Sequence, residues 1–289
     1  MATSEADRYE LIDDVADRLE RAGVPTPLVD ARLLVDHLTE RFGDLSRCET
    51  NVLDAMVERR AARVPLQLVI GRTWFRAVEV LCRAGVFVPR PETEIVAGVA
   101  VDAARATGVG PVVVEPCTGT GAIALAVLTE VPGARIVASD RSPDAVALAS
   151  ANLERVLASG SVAAGASMTV RQGALLDAVP DELLGRVDVL VANPPYLPVS
   201  DVGTWEPEVG DHDPFDALVG GTDGLEIVEQ LLDLATTWLV PGGTAVIEID
   251  DRRGSVAADM ATRAGLVDVR VEVDLTQRDR VVVARRCGS

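Results

Sequence analysis

Apolar residues near the start of the chain recur at the spacing of an α-helix. This pattern runs from Glu10 to Glu58 and is interrupted at Gly23-Val24-Pro25 and at Gly43-Asp44. It predicts a small helical bundle, to which we assign residues 1–63. Short apolar stretches follow at 66–70 and 78–81. They predict a hairpin-like connector over residues 64–88.

From residue 89 onward, apolar strand-like runs alternate with helical segments. The predicted strands are 112–114, 136–138, 187–191, 244–249, 267–273 and 281–284, and the predicted helices are 123–128, 145–156 and 225–239. This βαβ rhythm is typical of an α/β fold with a doubly wound, mostly parallel sheet. The last two strands are predicted to form an antiparallel hairpin at the edge of the sheet. The segment 159–167, rich in Gly, Ala and Ser, predicts a loop.

Charge and composition exclude several classes of partner. Lys and Arg total 27 against 45 Asp and Glu, a formal net charge of −18 that repels polyphosphates, and aromatic residues make up only 3% of the chain. Nucleic acid is therefore not expected as a direct substrate. No apolar run reaches the roughly 18 residues of a membrane span, and the acidic start does not resemble a secretory signal. We expect a cytoplasmic protein without a membrane partner.

The four cysteines do not predict a metal site. Cys48, Cys82, Cys117 and Cys287 show no C-x-x-C spacing, so neither a zinc site nor a disulfide framework is indicated. We expect reduced thiols and no metal.

The segment from Val112 to Ile123 predicts a cofactor loop. A strand, 112–114, is followed by Glu115-Pro116-Cys117-Thr118-Gly119-Thr120-Gly121 and then by a helix. A doubly wound sheet binds nucleotides at such a strand-to-helix turn. Gly119 and Gly121 allow close approach of the backbone to a ligand, and the Glu115 carboxylate could pair with an amine or a sulfonium.

A second carboxylate sharpens this prediction. Asp140 ends the next predicted strand about 20 residues downstream, where an acceptor for ribose hydroxyl groups is expected. A dinucleotide dehydrogenase would share this acid. It would also show G-x-G-x-x-G spacing, which Gly119-Thr120-Gly121-Ala122-Ile123-Ala124 meets only loosely. S-adenosylmethionine fits the pattern better.

The tetrapeptide Asn193-Pro194-Pro195-Tyr196 follows directly on a predicted strand. Two prolines stiffen this loop. The Asn193 side-chain oxygen and the Pro194 carbonyl could accept hydrogen bonds from one NH₂ group, while the Tyr196 ring supports a planar group from its face. An amide nitrogen is a poor nucleophile, so acceptors that hold its protons and orient its lone pair suit methyl transfer to it.

With these motifs, the chain resembles the HemK-type protein glutamine N5-methyltransferases over about residues 7–286. The strings that carry the resemblance are Asp30-Ala31-Arg32-Leu33-Leu34, Gly71-Arg72, Trp74-Phe75, the segment Phe87 to Glu94, Thr118 to Leu125, Asp140, the tetrapeptide, Asp213-Pro214, Ala217-Leu218, Gly220-Gly221 and Asp223-Gly224-Leu225. The resemblance implies a seven-stranded class I methyltransferase sheet over residues 89–289, which follows the helical domain and a short β-hairpin connector along the chain. The implied activity is S-adenosylmethionine-dependent methylation of the Gly-Gly-Gln glutamine of peptide-chain release factors.

The resemblance also implies roles for individual residues. The implied cofactor contacts are Glu115, Cys117, Thr118, Gly119, Thr120, Gly121, Asp140, Arg141, Ala174, Leu175 and Asn193. The implied catalytic residues are Asn193, Pro194, Pro195 and Tyr196, and the implied substrate contacts are Phe87, Arg90, Glu92, Glu94, Asn193 and Tyr196. The helical domain would be a docking surface for a protein substrate.

Three positions depart from the family pattern. Cys117 stands where glycine is usual, which requires a negative φ at that position. We interpret Cys117 as a small packing residue rather than a nucleophile. Ala174 replaces a polar residue near the expected adenine position, and Asp250 stands at another position where glycine is common.

Acidic residues crowd the segment after the tetrapeptide, at positions Asp201, Glu206, Glu208, Asp211, Asp213 and Asp216. One interpretation is a solvated loop on an acidic protein. The other is a pocket for a cation. Guanidinium is planar like an amide and pairs with carboxylates, so methylation of free L-arginine or a related small guanidino or amide compound is an alternative function.

Overall fold

The computed structural model describes residues 5–43 and 50–288. Asp44, placed above in a helix break, and Cys48 lie outside the described residues. The chain divides into two compact units. We call them the helical unit, Met1–Arg72 with Glu206–His212, and the sheet unit, Thr73–Trp205 with Asp213–Ser289.

The described ranges contain both α-helices and strands. The helices are α1 Glu5–Arg21, α2 Pro27–Phe42, α3 Thr50–Ala61, α4 Leu66–Ile70, α5 Thr93–Ala106, α6 Ala122–Glu130, α7 Pro143–Ser159, α8 Pro207–Gly210, α9 Phe215–Leu218, α10 Glu226–Trp238 and α11 Gly254–Arg263. The strands are β1 Arg72–Phe75, β2 Val78–Leu81, β3 Val112–Pro116, β4 Arg135–Asp140, β5 Ser167–Gln172, β6 Val187–Ala192, β7 Leu239–Glu248, β8 Leu266–Val273 and β9 Asp279–Arg286. None of the helices within the described ranges combines the length and the apolar character needed to cross a membrane.

The helical unit confirms the predicted bundle. The apolar stripes of α1, α2 and α3 form its core, in which Val15, Leu19 and Leu34 are fully buried. The stripes recur every three to four residues, so each helix buries one face. The segment Glu206–His212, which contains α8, belongs to this unit although it is distant in sequence.

The connector contains the predicted hairpin, but one of its strands was misplaced. β1 and β2 form a two-stranded sheet, whereas the apolar stretch Leu66–Ile70 is the short helix α4. Gly71 ends α4 in the left-handed conformation, with φ +86°. An apolar run of this length has no periodicity that distinguishes a buried helical turn from a strand.

The sheet confirms the predicted doubly wound architecture. Its seven strands lie in the order β5-β4-β3-β6-β7-β9-β8. The strands from β5 to β7 pair in parallel, and β9 pairs antiparallel with both β7 and β8. The strand order reverses between β3 and β6, so the carboxyl ends of these strands border the crevice in which such sheets bind ligands.

Burial explains which strands the sequence pattern revealed. β3 is buried at every position, and its apolar residues contribute to the clusters on the two faces of the sheet. β5, by contrast, was missed. It pairs only with β4 at the edge of the sheet, and its side chains are at best half-buried. Apolar Met168 and Val170 alone mark it, so the pattern that signals a buried strand is absent.

Candidate active site

The predicted site residues lie on loops at the carboxyl ends of adjacent parallel strands. The cofactor loop, Cys117–Gly121, follows β3, Arg141 follows β4, and the tetrapeptide follows β6. Parallel pairing places these three strand ends at one edge of the sheet. The fold therefore brings the predicted cofactor and catalytic segments together.

The buried side chain of Glu115 holds the cofactor loop by hydrogen bonds. Its Oε2 accepts hydrogen bonds from Thr118 Oγ1 at 2.6 Å and from the Ala124 backbone N–H at 3.0 Å. Burial disfavours the charged carboxylate and raises the pKa of Glu115 to about 8, although the hydrogen bonds from Thr118 and Ala124 oppose this rise. Glu115 thus fixes the loop to the first turns of α6. A direct contact with a cofactor stays a prediction.

Asp140 ties the same loop to the end of β4. Its Oδ2 accepts from the Gly119 backbone N–H and its Oδ1 accepts from the Ser142 backbone N–H, both at 2.9 Å. The Thr118 N–H donates to the Ser139 carbonyl at 3.0 Å. A carboxylate oxygen has a second lone pair, so Asp140 retains acceptor capacity for hydroxyl groups of a ligand.

The backbone of the cofactor loop turns through left-handed conformations. Gly119 has φ +55°, and a β-carbon built on it would have no neighbour within 4 Å, so the backbone here borders open space. Gly121 has φ +83°, and its β-carbon would lie 3.3 Å from the Ala149 side chain. Gly119 therefore forms a cradle that fits close approach of a ligand, whereas Gly121 serves the packing of the loop against α7.

Cys117 contradicts the expectation of a negative φ. Its φ is +59°, in the left-handed region that glycine adopts at no steric cost. A cysteine in this conformation costs about 1–2 kcal/mol. Burial, reinforced by Asp140 and Glu115, raises the pKa of the Cys117 thiol to about 12. The thiol is therefore held neutral, as expected of a packing residue.

The segment after β5 lies next to Asp140. The Gly173 N–H donates to the Asp140 carbonyl at 2.9 Å, and Ser139 Oγ donates to the Leu175 carbonyl at 2.8 Å. Ala174 between them is exposed. Leu175, like Cys117, has a positive φ, at +46°. The structure thus brings this segment to the predicted cofactor residues, where its contact with a cofactor stays a prediction.

The tetrapeptide is held at both of its ends by side chains. Asn193 Nδ2 donates to Thr93 Oγ1 at 3.2 Å, and the Tyr196 hydroxyl donates to Glu248 Oε1 at 3.1 Å. The first hydrogen bond uses the Asn193 amide nitrogen and leaves its oxygen to accept from a substrate. Burial raises the pKa of Tyr196 well above its ordinary value, with Glu248 as the next cause, so its hydroxyl group keeps the donated proton.

Sequence reasoning assigned no role to Glu248, and it placed Thr93 only within the segment Phe87 to Glu94, without a role of its own. Thr93 is the first residue of α5, Glu248 is the last residue of β7, and both are buried. Burial raises the pKa of Glu248 to about 7, while Thr93, Arg280 and Tyr196 oppose the rise. A lone carboxylate at the end of an apolar strand was the available signal for Glu248, because charged groups are rarely buried without a role.

A glycine-rich segment packs against the backbone of the tetrapeptide. The Leu197 N–H donates to the Leu218 carbonyl and the Gly220 N–H donates to the Leu197 carbonyl, both at 2.9 Å. A β-carbon on Gly220 would lie 2.3 Å from the Pro195 carbonyl oxygen. No side chain fits at this position. Gly220 is therefore explained by backbone contact with the catalytic loop, whereas Gly221 has φ +117° and lies against the Glu226 side chain.

The predicted substrate residues before α5 and in its first turn differ in how firmly other side chains hold them. The Arg90 guanidinium lies 5.0 Å from the centre of the Phe87 ring and forms an ion pair with Asp213. Glu92 is exposed. Glu94 faces the hairpin instead, because its Oε1 accepts from the Arg76 backbone N–H at 3.0 Å. Substrate contacts by Phe87, Arg90, Glu92 and Glu94 stay predictions.

The acidic segment after the tetrapeptide pairs with arginines of the same chain. The pairs are Asp201 with Arg252, Glu206 with Arg63, Glu208 with Arg60 and Arg63, Asp213 with Arg90, and Asp216 with Arg141. Five of the six carboxylates singled out in the sequence are therefore engaged internally. Glu206 and Asp216 remain largely exposed, as the interpretation of a solvated loop expects. The ion pairs with arginines of the same chain weaken the interpretation of a pocket for a cationic ligand.

Asp250 has a comparable explanation. Both of its oxygens bind the Arg252 guanidinium, at 2.8 Å to Nε and 2.6 Å to Nη2, and the same guanidinium reaches Asp201 at 2.6 Å. The carboxylate that replaces glycine here anchors the Arg252 side chain beside the 3₁₀ turn Val199–Asp201.

Two family models match the chain. The model described as PrmC N-terminal domain matches residues 10–71, and the model described as methyltransferase small domain matches residues 96–203. The first lies within the helical unit. The second covers β3 to β6, with the cofactor loop, Asp140 and the tetrapeptide.

The chain is also similar to whole proteins of known family. It is 41% identical to the release factor glutamine methyltransferase of Streptomyces coelicolor, over 95% of this chain and 96% of that one. It is 39% identical to the protein of the same name from Deinococcus radiodurans, over 96% and 98% of the two chains. A methyltransferase structure from Pyrococcus furiosus shares the fold, with a TM-score of 0.55 at 17% identity over 80% of this chain and 99% of that one. The chain belongs to the release factor glutamine methyltransferase family.

Proposed function

We propose that this protein transfers a methyl group from S-adenosylmethionine to the side-chain amide nitrogen of the Gly-Gly-Gln glutamine in peptide-chain release factors. The observation that carries the proposal is the hydrogen bond from Asn193 Nδ2 to Thr93. Because this hydrogen bond uses the amide nitrogen of Asn193, the amide oxygen stays available to accept a hydrogen bond from an incoming NH₂ group. The near full-length similarity to release factor glutamine methyltransferases supports the choice of substrate.

The cofactor would lie against the loop after β3. Gly119 offers open space beside its backbone, and Asp140, whose oxygens already accept from Gly119 and Ser142, offers acceptors for ribose hydroxyl groups. These residues fit S-adenosylmethionine. When bound, this cofactor supplies an electrophilic methyl group on a sulfonium.

The residues of the chain orient the substrate amide. Asn193 Oδ1 and the Pro194 carbonyl would accept the two N–H groups, which holds the nitrogen and directs its lone pair out of the plane of the two acceptors. Methyl transfer would form a carbon–nitrogen bond as the carbon–sulfur bond of the sulfonium breaks, which leaves a neutral thioether. The nitrogen would release one of its two protons to solvent, so that one methyl group replaces one hydrogen. Excluding water from this site strengthens both hydrogen bonds.

The acidic composition and the internally paired carboxylates bear on the partner. A net charge of −18 disfavours nucleic acid as a direct substrate. The arginine-binding alternative loses its main support, because the carboxylates that suggested it bind arginines of this chain. If its substrate is a release factor, the protein would act in the cytoplasm, where translation occurs.

Incubation with methyl-labelled S-adenosylmethionine and a purified bacterial release factor tests the proposal. We expect one added methyl group on the Gly-Gly-Gln glutamine, located by peptide mass spectrometry, and none on a release factor in which that glutamine is asparagine. Asn193→Ala should abolish transfer while leaving cofactor binding measurable. Methylation of free L-arginine but not of the release factor would refute the proposed substrate.

A further inference from the structure

Thr93 and Glu248 link the two ends of the tetrapeptide. Asn193 donates to Thr93 at one end, and Tyr196 donates to Glu248 at the other. Thr93 also interacts with the Glu248 carboxylate, since it lowers the pKa of that group. Thr93 and Glu248 come from α5 and β7, so neither belongs to the loop that they hold.

The direction of the hydrogen bonds in this cluster matters for the reaction. The amide of Asn193 has nearly the same shape when its nitrogen and oxygen are exchanged. A threonine hydroxyl can donate to an amide oxygen as well as accept from an amide nitrogen. If Thr93 donated to Asn193, the amide would turn its own NH₂ toward the substrate NH₂, and two donors would face each other.

Glu248 offers a second acceptor next to the hydrogen bond between Asn193 and Thr93. Thr93 Oγ1 accepts from Asn193, and its own proton needs an acceptor elsewhere. Glu248 Oε1 is taken by Tyr196, while Oε2 is buried and completes no hydrogen bond of good geometry among the described residues. This oxygen can therefore accept a hydrogen bond from the Thr93 hydroxyl. An ionised carboxylate can only accept hydrogen bonds. Thr93 must then donate to Glu248 and accept from Asn193, and we call this chain of two hydrogen bonds the relay.

We propose that Glu248 is a positioning residue that accepts a hydrogen bond from the Thr93 hydroxyl and thereby fixes the Asn193 amide with its oxygen toward the substrate NH₂. This proposal rests on the proposed function, because it assigns the orientation of the group that receives the glutamine amide. Glu248 acts through Thr93 and Tyr196 and does not itself touch the substrate.

The relay should depend on pH. Burial brings the pKa of Glu248 to about 7, and the groups facing it are Thr93 at the start of α5, Arg280 on β9, Tyr196 on the tetrapeptide and Glu92. Arg280 favours the carboxylate, whereas Glu92 disfavours it. Protonated Glu248 becomes a donor as well as an acceptor, so the direction of the Thr93 hydrogen bond is no longer imposed. We expect kcat to fall as the pH drops through about 7.

A pair of substitutions at Thr93 tests the proposal without changing charge. Thr93→Val removes the hydroxyl at nearly constant volume and should lower kcat on the release factor on the order of tenfold to a hundredfold. The dissociation constant for S-adenosylmethionine should stay unchanged. Thr93→Ser keeps the hydroxyl and should restore kcat. Thr129→Val, which removes a hydroxyl bonded to the Leu125 carbonyl within α6, is the matched control and should behave as the unsubstituted protein. Wild-type kcat in Thr93→Val would overturn the proposal.

Glu248→Gln gives the second test. Its side chain carries both a donor and an acceptor at every pH, so kcat should be low and should lack the fall near neutral pH. Unchanged kcat with the wild-type pH profile would overturn the proposal. If the variant does not fold, as judged by thermal unfolding, the Thr93 pair alone decides.

A readout without substrate separates the two proposals. The ¹⁵N resonance of the Asn193 side-chain amide should titrate with a midpoint near 7 in the unsubstituted protein and should not titrate near neutral pH in Thr93→Val. Absence of release-factor methylation would refute the proposed function, while the titration still decides the positioning role. An Asn193 resonance that titrates identically in both proteins would overturn that role.

Discussion

A β-carbon on Gly224 would lie 2.2 Å from the carbonyl oxygen of Tyr196. The backbone of the Asp223-Gly224 string therefore packs directly against the last residue of the tetrapeptide, as Gly220 packs against Pro195. Gly224 also has φ +84°, so two separate physical reasons, conformation and close approach, require glycine there. The glycine string and the catalytic loop are therefore in direct backbone contact.

Gly224→Ala should displace the tetrapeptide. The left-handed backbone costs about 1–2 kcal/mol with any β-carbon, and the clash with Tyr196 adds about 1–3 kcal/mol. We expect a lower melting temperature and at least a tenfold loss of kcat. Gly203→Ala is the matched control, because Gly203 has φ +87° but no atom within 4 Å of its β-carbon. Equal losses of kcat in both variants would show that close approach to Tyr196 is unimportant.

Asp140→Asn should weaken cofactor binding. The two carboxylate oxygens each accept from a backbone N–H, of Gly119 and Ser142. An asparagine amide presents its own NH₂ to one of these donors, so the loop loses a charge-assisted hydrogen bond and the ligand loses an acceptor. We expect the dissociation constant for S-adenosylmethionine to rise about tenfold or more, measured by calorimetry.

Asp144→Asn, in the first turn of α7, is the control and should leave this constant unchanged. An unchanged constant in Asp140→Asn would remove Asp140 from the cofactor site.

Much of the fold could be predicted because its central strands are buried. Continuous apolar runs such as 112–114 and 187–191 are typical of strands at the centre of a parallel sheet. The first run lies in β3 and the second in β6. The edge strand β5 and the helix α4 were not predictable in the same way. One has no buried face, and the other is too short to show a period.

The site was predictable only as far as it lies in contiguous motifs. The cofactor loop, Asp140 and the tetrapeptide were found because each follows a strand end. The roles of Thr93 and Glu248 were not found, because each is a single buried polar residue whose partners lie about 50 to 100 residues away. The sign of φ at Cys117 was predicted wrongly, since the loop geometry prevailed over the preference of the side chain.

Cys117 should resist alkylation in the folded protein. Its pKa of about 12 leaves a thiolate fraction of about one in ten thousand at pH 8, and only the thiolate reacts readily. Cys287 is exposed and should react with iodoacetamide much faster. Peptide mass spectrometry after timed alkylation measures both sites, and the guanidinium-unfolded protein is the control in which both should react. Rapid modification of Cys117 in the folded protein would contradict its assignment as a neutral packing residue.

Glu208 should contribute to the stability of the helical unit in a pH-dependent way. Burial opposes its charge, but a two-pronged ion pair with Arg63 and a hydrogen bond from Arg60 at 2.9 Å together lower its pKa to about 2. A depressed pKa in the folded state means that the stabilisation is complete above the ordinary value of 4.5 and is lost as the pH falls from 4.5 toward 2. Glu208→Gln should therefore lower the free energy of unfolding by about 2 kcal/mol at neutral pH. The difference from the unsubstituted protein should shrink in acid.

Glu206→Gln is the matched control. It removes a largely exposed carboxylate that pairs with the same Arg63, and it should lower the free energy of unfolding much less, because exposed ion pairs contribute little. Denaturant titrations across this pH range measure all three proteins, and a Glu208→Gln deficit that is independent of pH would exclude ionisation of Glu208 as its cause.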